Sequence, residues 1–208
     1  NLAKEDGFEV DDVDGYAGVI SYGEGEKSVA MLGHLDVVPV DNEWITNPFE
    51  LVIKDGIGFG RGILDDKGPT MAAYYALKMI KESKITLNKR IQLILGCDEE
   101  SGMECMKYYK ENREVPTLGF VPDADFPVIY GEKGILNFNL EGNPQTQIKR
   151  LVAGSRPNVV IGYAQVQMAG QPKVELFESY LRCLHLEGDY KHEDNLTTYS
   201  IKGLSFHG

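Results

Sequence analysis

The first two-thirds of the sequence alternates short apolar runs with helical patterns, and this alternation constrains the fold more than any other feature. Ser28–Leu32 and Arg90–Gly96 have the length and continuous apolar character of buried strands. Between them, Pro69 stands where a first helical turn tolerates proline, and apolar residues recur after it at helical spacing. A short helix and two strands are predicted next, at Met103–Lys110, Thr117–Val121 and Pro127–Tyr130. This order predicts an α/β domain with a mostly parallel central sheet.

The pattern changes after Gly134, where apolar and polar residues begin to alternate as they do in half-buried antiparallel strands. The predicted elements are two strands, an amphipathic helix and a further strand, at Ile135–Leu140, Val159–Met168, Val174–Leu186 and Thr197–Lys202. We therefore expect an α/β domain over residues 1–134 and the beginning of a second, α+β domain over residues 135–208.

The charge balance restricts the partners that the chain can bind. With 21 Lys and Arg against 32 Asp and Glu, the formal net charge is −11. Nucleic acids and anionic membranes attract basic surfaces, so neither is expected as a partner. Cationic ligands and metal ions remain compatible with this composition.

Cysteine usage indicates the redox compartment of the protein, and the chain ends indicate whether the chain is a fragment. Cys97, Cys105 and Cys183 form no closely spaced pair and are odd in number, which favours reduced thiols in the cytoplasm over a secreted disulfide framework. No apolar run approaches the length of a membrane span. The chain opens without Met and stops directly after a strand pattern, so we expect it to be a fragment of a longer protein.

Residues of the types that commonly bind metals follow the first predicted strand and precede the first predicted helix. His34 and Asp36 follow the strand, at a spacing that lets a carboxylate fix the tautomer of a metal-binding imidazole, although a lone His at a strand end is more often a hydrogen-bonded loop residue. Asp65 and Asp66 directly precede the helix. Because Asp is a common N-cap, one of the two could cap the helix while the other serves another purpose.

Carboxylates also follow the next two predicted strands, in Asp98-Glu99-Glu100 and in Asp123-Ala124-Asp125. Each group alone is typical of a solvated acidic loop. Four such groups, three at strand ends and one directly before a helix, are harder to explain separately, because ligands of α/β sheets collect at the carboxyl ends of strands. Carboxylates with a single His suit zinc, with manganese or cobalt as substitutes, and a site of two metals that share a bridging carboxylate.

Five ordered blocks then carry a family resemblance: Gly33–Pro39 (GHLDVVP), Gly60–Pro69 (GRGILDDKGP), Asp98–Gly102 (DEESG), Pro122–Pro127 (PDADFP) and Gly131–Gly134 (GEKG). Together they resemble the dinuclear zinc exopeptidase family, which includes aminoacylases, desuccinylases, deacetylases and carboxypeptidases. The blocks are most similar to those of the PepV-type Xaa-His dipeptidases. The resemblance implies a zinc-exopeptidase catalytic domain followed by a lid domain.

The resemblance also implies a set of metal ligands. His34 and Asp123 would bind one zinc ion, Glu100 would bind the other, and Asp65 would bridge the two. Asp66 would be the neighbour of the bridging residue, often joined to it by a cis peptide bond. A distal His ligand is expected nearer the C-terminus of the family's proteins, and this chain offers no candidate for it.

Further roles are implied for residues around the metals. Glu99 would be the general base that takes a proton from the attacking water, and Asp36 would orient His34. His207 would stabilise the oxyanion from the lid, while Asn158 and Arg156 would contact the substrate.

The implied function is zinc-dependent hydrolysis of dipeptides or short peptides with a free N-terminus by the intact protein. Two alternatives stay open. An N-acyl-amino-acid deacylase or desuccinylase would use the same fold, and a non-catalytic homologue would bind metal or peptide without turnover. Both a monomer and a homodimer are compatible with the resemblance.

Overall fold

The computed structural model forms two compact units, Asn1–Glu132 and Lys133–Gly208. It describes all residues except 41–43, 133, 135, 137, 138, 140, 143–145, 155–159 and 204–208.

The first unit combines α-helices with one large and one small sheet. The helices are α1 (Leu2–Glu5), α2 (Gly68–Glu82) and α3 (Glu104–Asn112). The strands are β1 (Glu9–Val13), β2 (Ala17–Tyr22), β3 (Ser28–His34), β4 (Val52–Lys54), β5 (Ile57–Phe59), β6 (Arg90–Gly96) and β7 (Leu118–Phe120). An irregular turn, Ile63–Lys67, leads directly into α2.

The large sheet has the strand order β1-β2-β6-β3-β7, and β4 and β5 form a separate hairpin. β3 pairs in parallel with both β6 and β7, whereas β1 with β2 and β2 with β6 are antiparallel. The α/β class is therefore confirmed, and the sheet itself is mixed. The antiparallel part comes from the β1–β2 hairpin, which the sequence pattern did not predict.

Alternate residues of the central strands pack against helices on opposite faces of the sheet, as the period of a strand requires. Ile20, Met31 and Leu93 join Tyr74 and Leu77 of α2 in one buried cluster. The adjacent residues on the same strands point to the other face. There Val19, Ala30 and Ile94 form a second buried cluster with Tyr109 of α3. The sheet is thus covered on both faces, which explains why β3 and β6 are apolar almost without interruption.

The predicted helices and central strands are found close to their expected bounds. The helix after Pro69 is α2, and Met103–Lys110 corresponds to α3. The strand predicted at Pro127–Tyr130 is wrong, since these residues are exposed and unpaired with any described strand. Proline cannot donate to a strand ladder, and apolar composition alone does not supply a neighbour to pair with. No helix in the described part of the chain is long and apolar enough to cross a bilayer.

The second unit contains a four-stranded antiparallel sheet and one helix. Its elements are β8 (Ile148–Ala153), β9 (Tyr163–Ala169), α4 (Val174–Leu184), β10 (Glu187–Glu193) and β11 (Leu196–Lys202), with the strand order β10-β11-β9-β8. The strand predicted at Ile135–Leu140 lies mostly outside the described residues. The helix packs on the sheet through Phe177, whose ring centroid is 4.8 Å from that of Tyr199.

Candidate metal centre

The predicted site residues lie at one edge of the large sheet. β3 ends at His34, β6 ends two residues before Asp98, and Asp123 follows the end of β7 by three residues. Because β3, β6 and β7 run parallel, their carboxyl ends meet at the same edge. The sheet topology therefore places His34 beside the loops that carry the acidic residues.

His34 is the centre of this arrangement and is only 2% exposed. Its Nδ1 lies 3.0 Å from the backbone carbonyl oxygen of Asp36, which can only accept, so Nδ1 carries the donated proton. Nε2 faces the opposite way, 2.9 Å from Oδ1 of Asp65 and 3.3 Å from Oδ2 of Asp123. This is the orientation of a metal-binding imidazole whose other nitrogen is fixed by a hydrogen bond.

Two groups of potential ligand atoms share His34. One contains His34, Asp65 and Glu100, the other His34, Asp66 and Asp123, and within each group the atoms lie within 4.8 Å of one another. The four residues predicted as ligands are thus brought together. Asp66 joins them, although the resemblance implied only that it would neighbour the bridging residue.

Asp36 makes more contacts than orientation of His34 requires. Its Oδ1 lies 3.3 Å from Nδ1 of His34. The same carboxylate accepts hydrogen bonds from the backbone N–H groups of Glu99 and Glu100, each at 3.1 Å. Asp36 therefore links the imidazole to the loop that carries two further site residues.

The turn before α2 differs from the capping interpretation. Neither Asp65 nor Asp66 caps α2, since Lys67 occupies the N-cap position and no side chain caps the helix. The Asp65–Asp66 peptide bond is cis, as the resemblance implied. Asp66 is fully buried, and its Oδ2 accepts hydrogen bonds from the backbone N–H of His34 and the hydroxyl of Thr70.

The site shifts the pKa of three groups. Burial lowers the pKa of His34. The hydrogen bond to Asp65 and the negative charges of Asp123 and Asp36 raise this pKa by a larger amount, so the net shift is upward. Partial burial raises the pKa of Asp123, and the Asp66 and Asp65 charges add to the rise. The pKa of Glu99 is also raised, mainly by desolvation of its carboxyl group and then by Glu100 and Asp123.

Glu99 borders a cavity of about 60 Å³ at this sheet edge. His34 and Asp123 line the same cavity, together with apolar side chains that include Leu32, Met103 and Met106. Glu99 remains solvent-accessible. A carboxyl group with a raised pKa and two potential metal ligands therefore face one small, largely apolar space.

The donor set fits divalent metal ions. Four carboxylates that converge on one imidazole repel one another unless protons or cations lie among them. Imidazole nitrogen and carboxylate oxygen are ligands that zinc accepts, and carboxylate-rich sets are also used by paired metals. Oδ1 of Asp66 adds a buried oxygen with no hydrogen-bond partner among the described residues.

Three predicted residues, Arg156, Asn158 and His207, lie outside the described residues, and their roles stay predictions. Conversely, Thr70 contacts Asp66 but was not predicted from the sequence. The available signal was its position four residues after Asp66, close to the start of a helix, where side chains spaced by four can meet.

Comparisons with known proteins agree with the motifs. A provisionally named dipeptidase of Staphylococcus epidermidis is 41% identical over 220 aligned residues, which cover 100% of this chain and 47% of the relative. The provisionally named dipeptidase YtjP of Bacillus subtilis is 38% identical, covering 99% of this chain and 47% of the relative. The chain thus spans about half the length of the curated relatives that it matches.

A solved structure shows the same fold at low sequence identity. The M20 family metallo-carboxypeptidase Sso-CP2 of Sulfolobus solfataricus superposes with a TM-score of 0.51 and 14% identity, covering 96% of this chain and 63% of the other. The model of peptidase family M20/M25/M40 matches residues 30–201, which include every described site residue. The chain belongs to peptidase family M20/M25/M40.

Proposed function

We propose that this chain forms the metal-binding part of a peptidase that hydrolyses dipeptides or short peptides with a free N-terminus. The observation that carries the proposal is the convergence of Glu99, His34 and Asp123 on one cavity, with Asp65 and Glu100 grouped around the same imidazole. Membership of a peptidase family and the dipeptidase names of its relatives support the substrate class.

We propose two zinc ions as the cofactor, with manganese or cobalt as substitutes. His34 and Asp123 would hold one ion, Glu100 would hold the other, and Asp65 would bridge them. The bound ions would supply Lewis-acid polarisation of the peptide carbonyl and a lower pKa for water. The contact of Nδ1 with the Asp36 carbonyl oxygen supports Nε2, which lies beside Asp65, as the nitrogen that would bind the metal.

Glu99 is the proposed general base. Its carboxylate would accept a proton from the attacking water and deliver it to the leaving amine. The raised pKa of Glu99 supports this role, because it brings the carboxyl group closer to neutral pH than an ordinary glutamate. Asp36 would hold the backbone of Glu99 in place through the hydrogen bond from its N–H group.

The proposed compartment is the cytoplasm. Cys97, Cys105 and Cys183 are all free thiols, and two of them are exposed to solvent. Exposed free thiols are typical of reducing compartments.

The test replaces the proposed base in the full-length protein. Glu99→Gln keeps the size of the side chain but removes its basicity, so we expect kcat for dipeptides to fall by about 10²- to 10⁴-fold while zinc content is unchanged. Glu104→Gln is the matched control, because the Glu104 side chain pairs with Lys107 on the exposed surface of α3.

The substrate panel should pair free dipeptides with N-acylated amino acids. The proposal predicts turnover of free dipeptides by the wild-type protein. Turnover of the acylated compounds alone would identify a deacylase instead. Zinc and peptide binding without cleavage would identify a non-catalytic homologue, and an unchanged kcat in Glu99→Gln would contradict the assigned base.

A further inference from the structure

The hydrogen bonds of Asp66 connect helix α2 to the proposed metal ligands. Its Oδ2 accepts from the Thr70 hydroxyl at 2.9 Å and from the His34 backbone N–H at 3.1 Å. All three residues are buried, with exposures of 4% for Thr70, 0% for Asp66 and 2% for His34. Hydrogen bonds shielded from water in this way fix the position of a charged group effectively.

The end of β3 and the first turn of α2 approach each other closely at Gly33. A Cβ atom added to Gly33 would lie 2.2 Å from Oγ1 of Thr70 and 2.8 Å from Oδ2 of Asp66. The end of β3 can approach the first turn of α2 only because residue 33 lacks a side chain. The Thr70 hydroxyl is therefore held against the strand that carries His34.

The second oxygen of Asp66 shows why its orientation matters. Oδ1 has no hydrogen-bond partner among the described residues, and Asp66 offers a carboxylate oxygen within 4.8 Å of ligand atoms of His34 and Asp123. Rotation of the Asp66 carboxylate would change the distance between its negatively charged oxygen and the ligand atoms of His34 and Asp123. Asp66 also adjoins Asp65 in the chain, so its anchoring restrains the backbone of the proposed bridging residue.

We propose that Thr70 is a positioning residue of the metal centre, acting through Asp66 on His34 and Asp65. This inference rests on the proposed function, since it requires metal to bind at these ligands. The Thr70 hydroxyl fixes the Asp66 carboxylate, which holds the His34 backbone and the turn that carries Asp65. Partners that orient ligands in this way commonly alter metal affinity by about 10- to 100-fold when they are replaced.

The test measures zinc affinity of the full-length protein by competition with a chromophoric chelator. Thr70→Val keeps the shape but removes the hydroxyl, and we expect it to weaken zinc binding by about 10-fold. Thr70→Ser restores the donor and should return the affinity to within about threefold of wild type. If Thr70→Val does not accumulate as folded protein, Thr70→Ala is measured in its place.

Thr197→Val is the matched control, because Thr197 is 1% exposed and its hydroxyl donates to the Gly170 carbonyl oxygen in the second unit. We expect it to leave zinc affinity unchanged, although it also removes a buried hydroxyl. Thermal unfolding of the metal-free variants provides a separate measure of general destabilisation.

The outcomes separate the two proposals. Absence of zinc binding in the wild-type protein would refute the proposed function. Zinc binding that is equal in wild type and in the variant without the hydroxyl would overturn the role of Thr70. Equal weakening in Thr70→Val and Thr70→Ser would also overturn it, since the hydroxyl would then not be the group that matters.

Discussion

The first unit encloses apolar clusters on both faces of its large sheet, whereas the buried residues described in the second unit are Thr197 and Tyr199. α2 and α3 each bury side chains against the first sheet. α4 is amphipathic in sequence, yet none of its residues is buried. The two units therefore contain similar elements but differ in how completely those elements are packed.

This difference matches the distribution of the candidate chemistry. The proposed ligands and the proposed base all lie in the first unit, on strand ends and loops that its packed sheet supports. Ligands must be held within fractions of an ångström, which requires a rigid surrounding structure. The second unit, with less buried apolar surface, is expected to open locally at lower free energy.

The largest effect is expected from Leu93→Ala, which removes a fully buried side chain from the first unit. The free energy of unfolding should fall by about 2–5 kcal/mol, because apolar contacts are lost and a cavity is left. The same change at Leu184, which is 49% exposed on α4, should alter it by no more than about 0.5 kcal/mol. Denaturant unfolding of the 208-residue chain, for which these exposures hold, measures both variants.

Hydrogen exchange adds a separate result for each unit. The amides of β6 should be protected for longer than those of β8, whose residues are all exposed. Equal protection of the two strands, or equal destabilisation by the two leucine variants, would contradict the difference in packing.

The next effect concerns the link between His34 and the acidic loop. In Asp36→Asn, one carboxylate oxygen becomes an amide donor that faces a backbone N–H of Glu99 or Glu100. We expect zinc affinity to fall by about 10- to 100-fold. Asp12→Asn is the control, since the exposed Asp12 carboxylate accepts the backbone N–H of Gly15 in the β1–β2 turn. Isothermal titration with zinc distinguishes the two, and identical affinities would show that Asp36 is dispensable.

The smallest effect concerns the N-terminus of the first unit. Hydrogen bonds from Lys78 and Tyr74 lower the pKa of Asp6 below its usual 3.8. A carboxyl group with a lowered folded pKa adds stability above its unfolded pKa and loses this contribution as the pH falls through the folded value. Asp6→Asn should therefore lower the melting temperature slightly at pH 7, with the difference from wild type shrinking below about pH 4. A difference that stayed constant down to pH 2 would rule out the charge of Asp6 as its source.

The sequence predicted the parts of the fold that have strong local signals. β3, β6 and α2 have continuous apolar runs or clear helical spacing, so their bounds were found within a few residues. The β1–β2 hairpin was missed because β1, the sequence EVDDV, carries acidic residues at an edge of the sheet and lacks a clear apolar alternation. Strand pairing at Pro127–Tyr130 depends on a neighbour that local composition does not reveal.

The candidate site was predictable to a similar degree. The motif blocks identified His34, Asp65, Glu100 and Asp123, and the structure brings these residues together. The burial of Asp66 and its hydrogen bond to Thr70 could not be inferred, because they depend on how closely α2 approaches β3. The two backbone hydrogen bonds to Asp36 likewise join residues more than 60 positions apart, a separation at which local patterns carry no signal.

The most direct test of the account is the number of metal ions bound per chain in the full-length protein. Elemental analysis after dialysis against trace zinc should give about two equivalents for the wild type. Asp65→Asn, which weakens the proposed bridge, should bind less than one equivalent, while Asp12→Asn should still bind two. A wild-type protein without tightly bound divalent metal, or an Asp65→Asn variant that keeps both ions, would contradict a dinuclear centre at the edge of the first sheet.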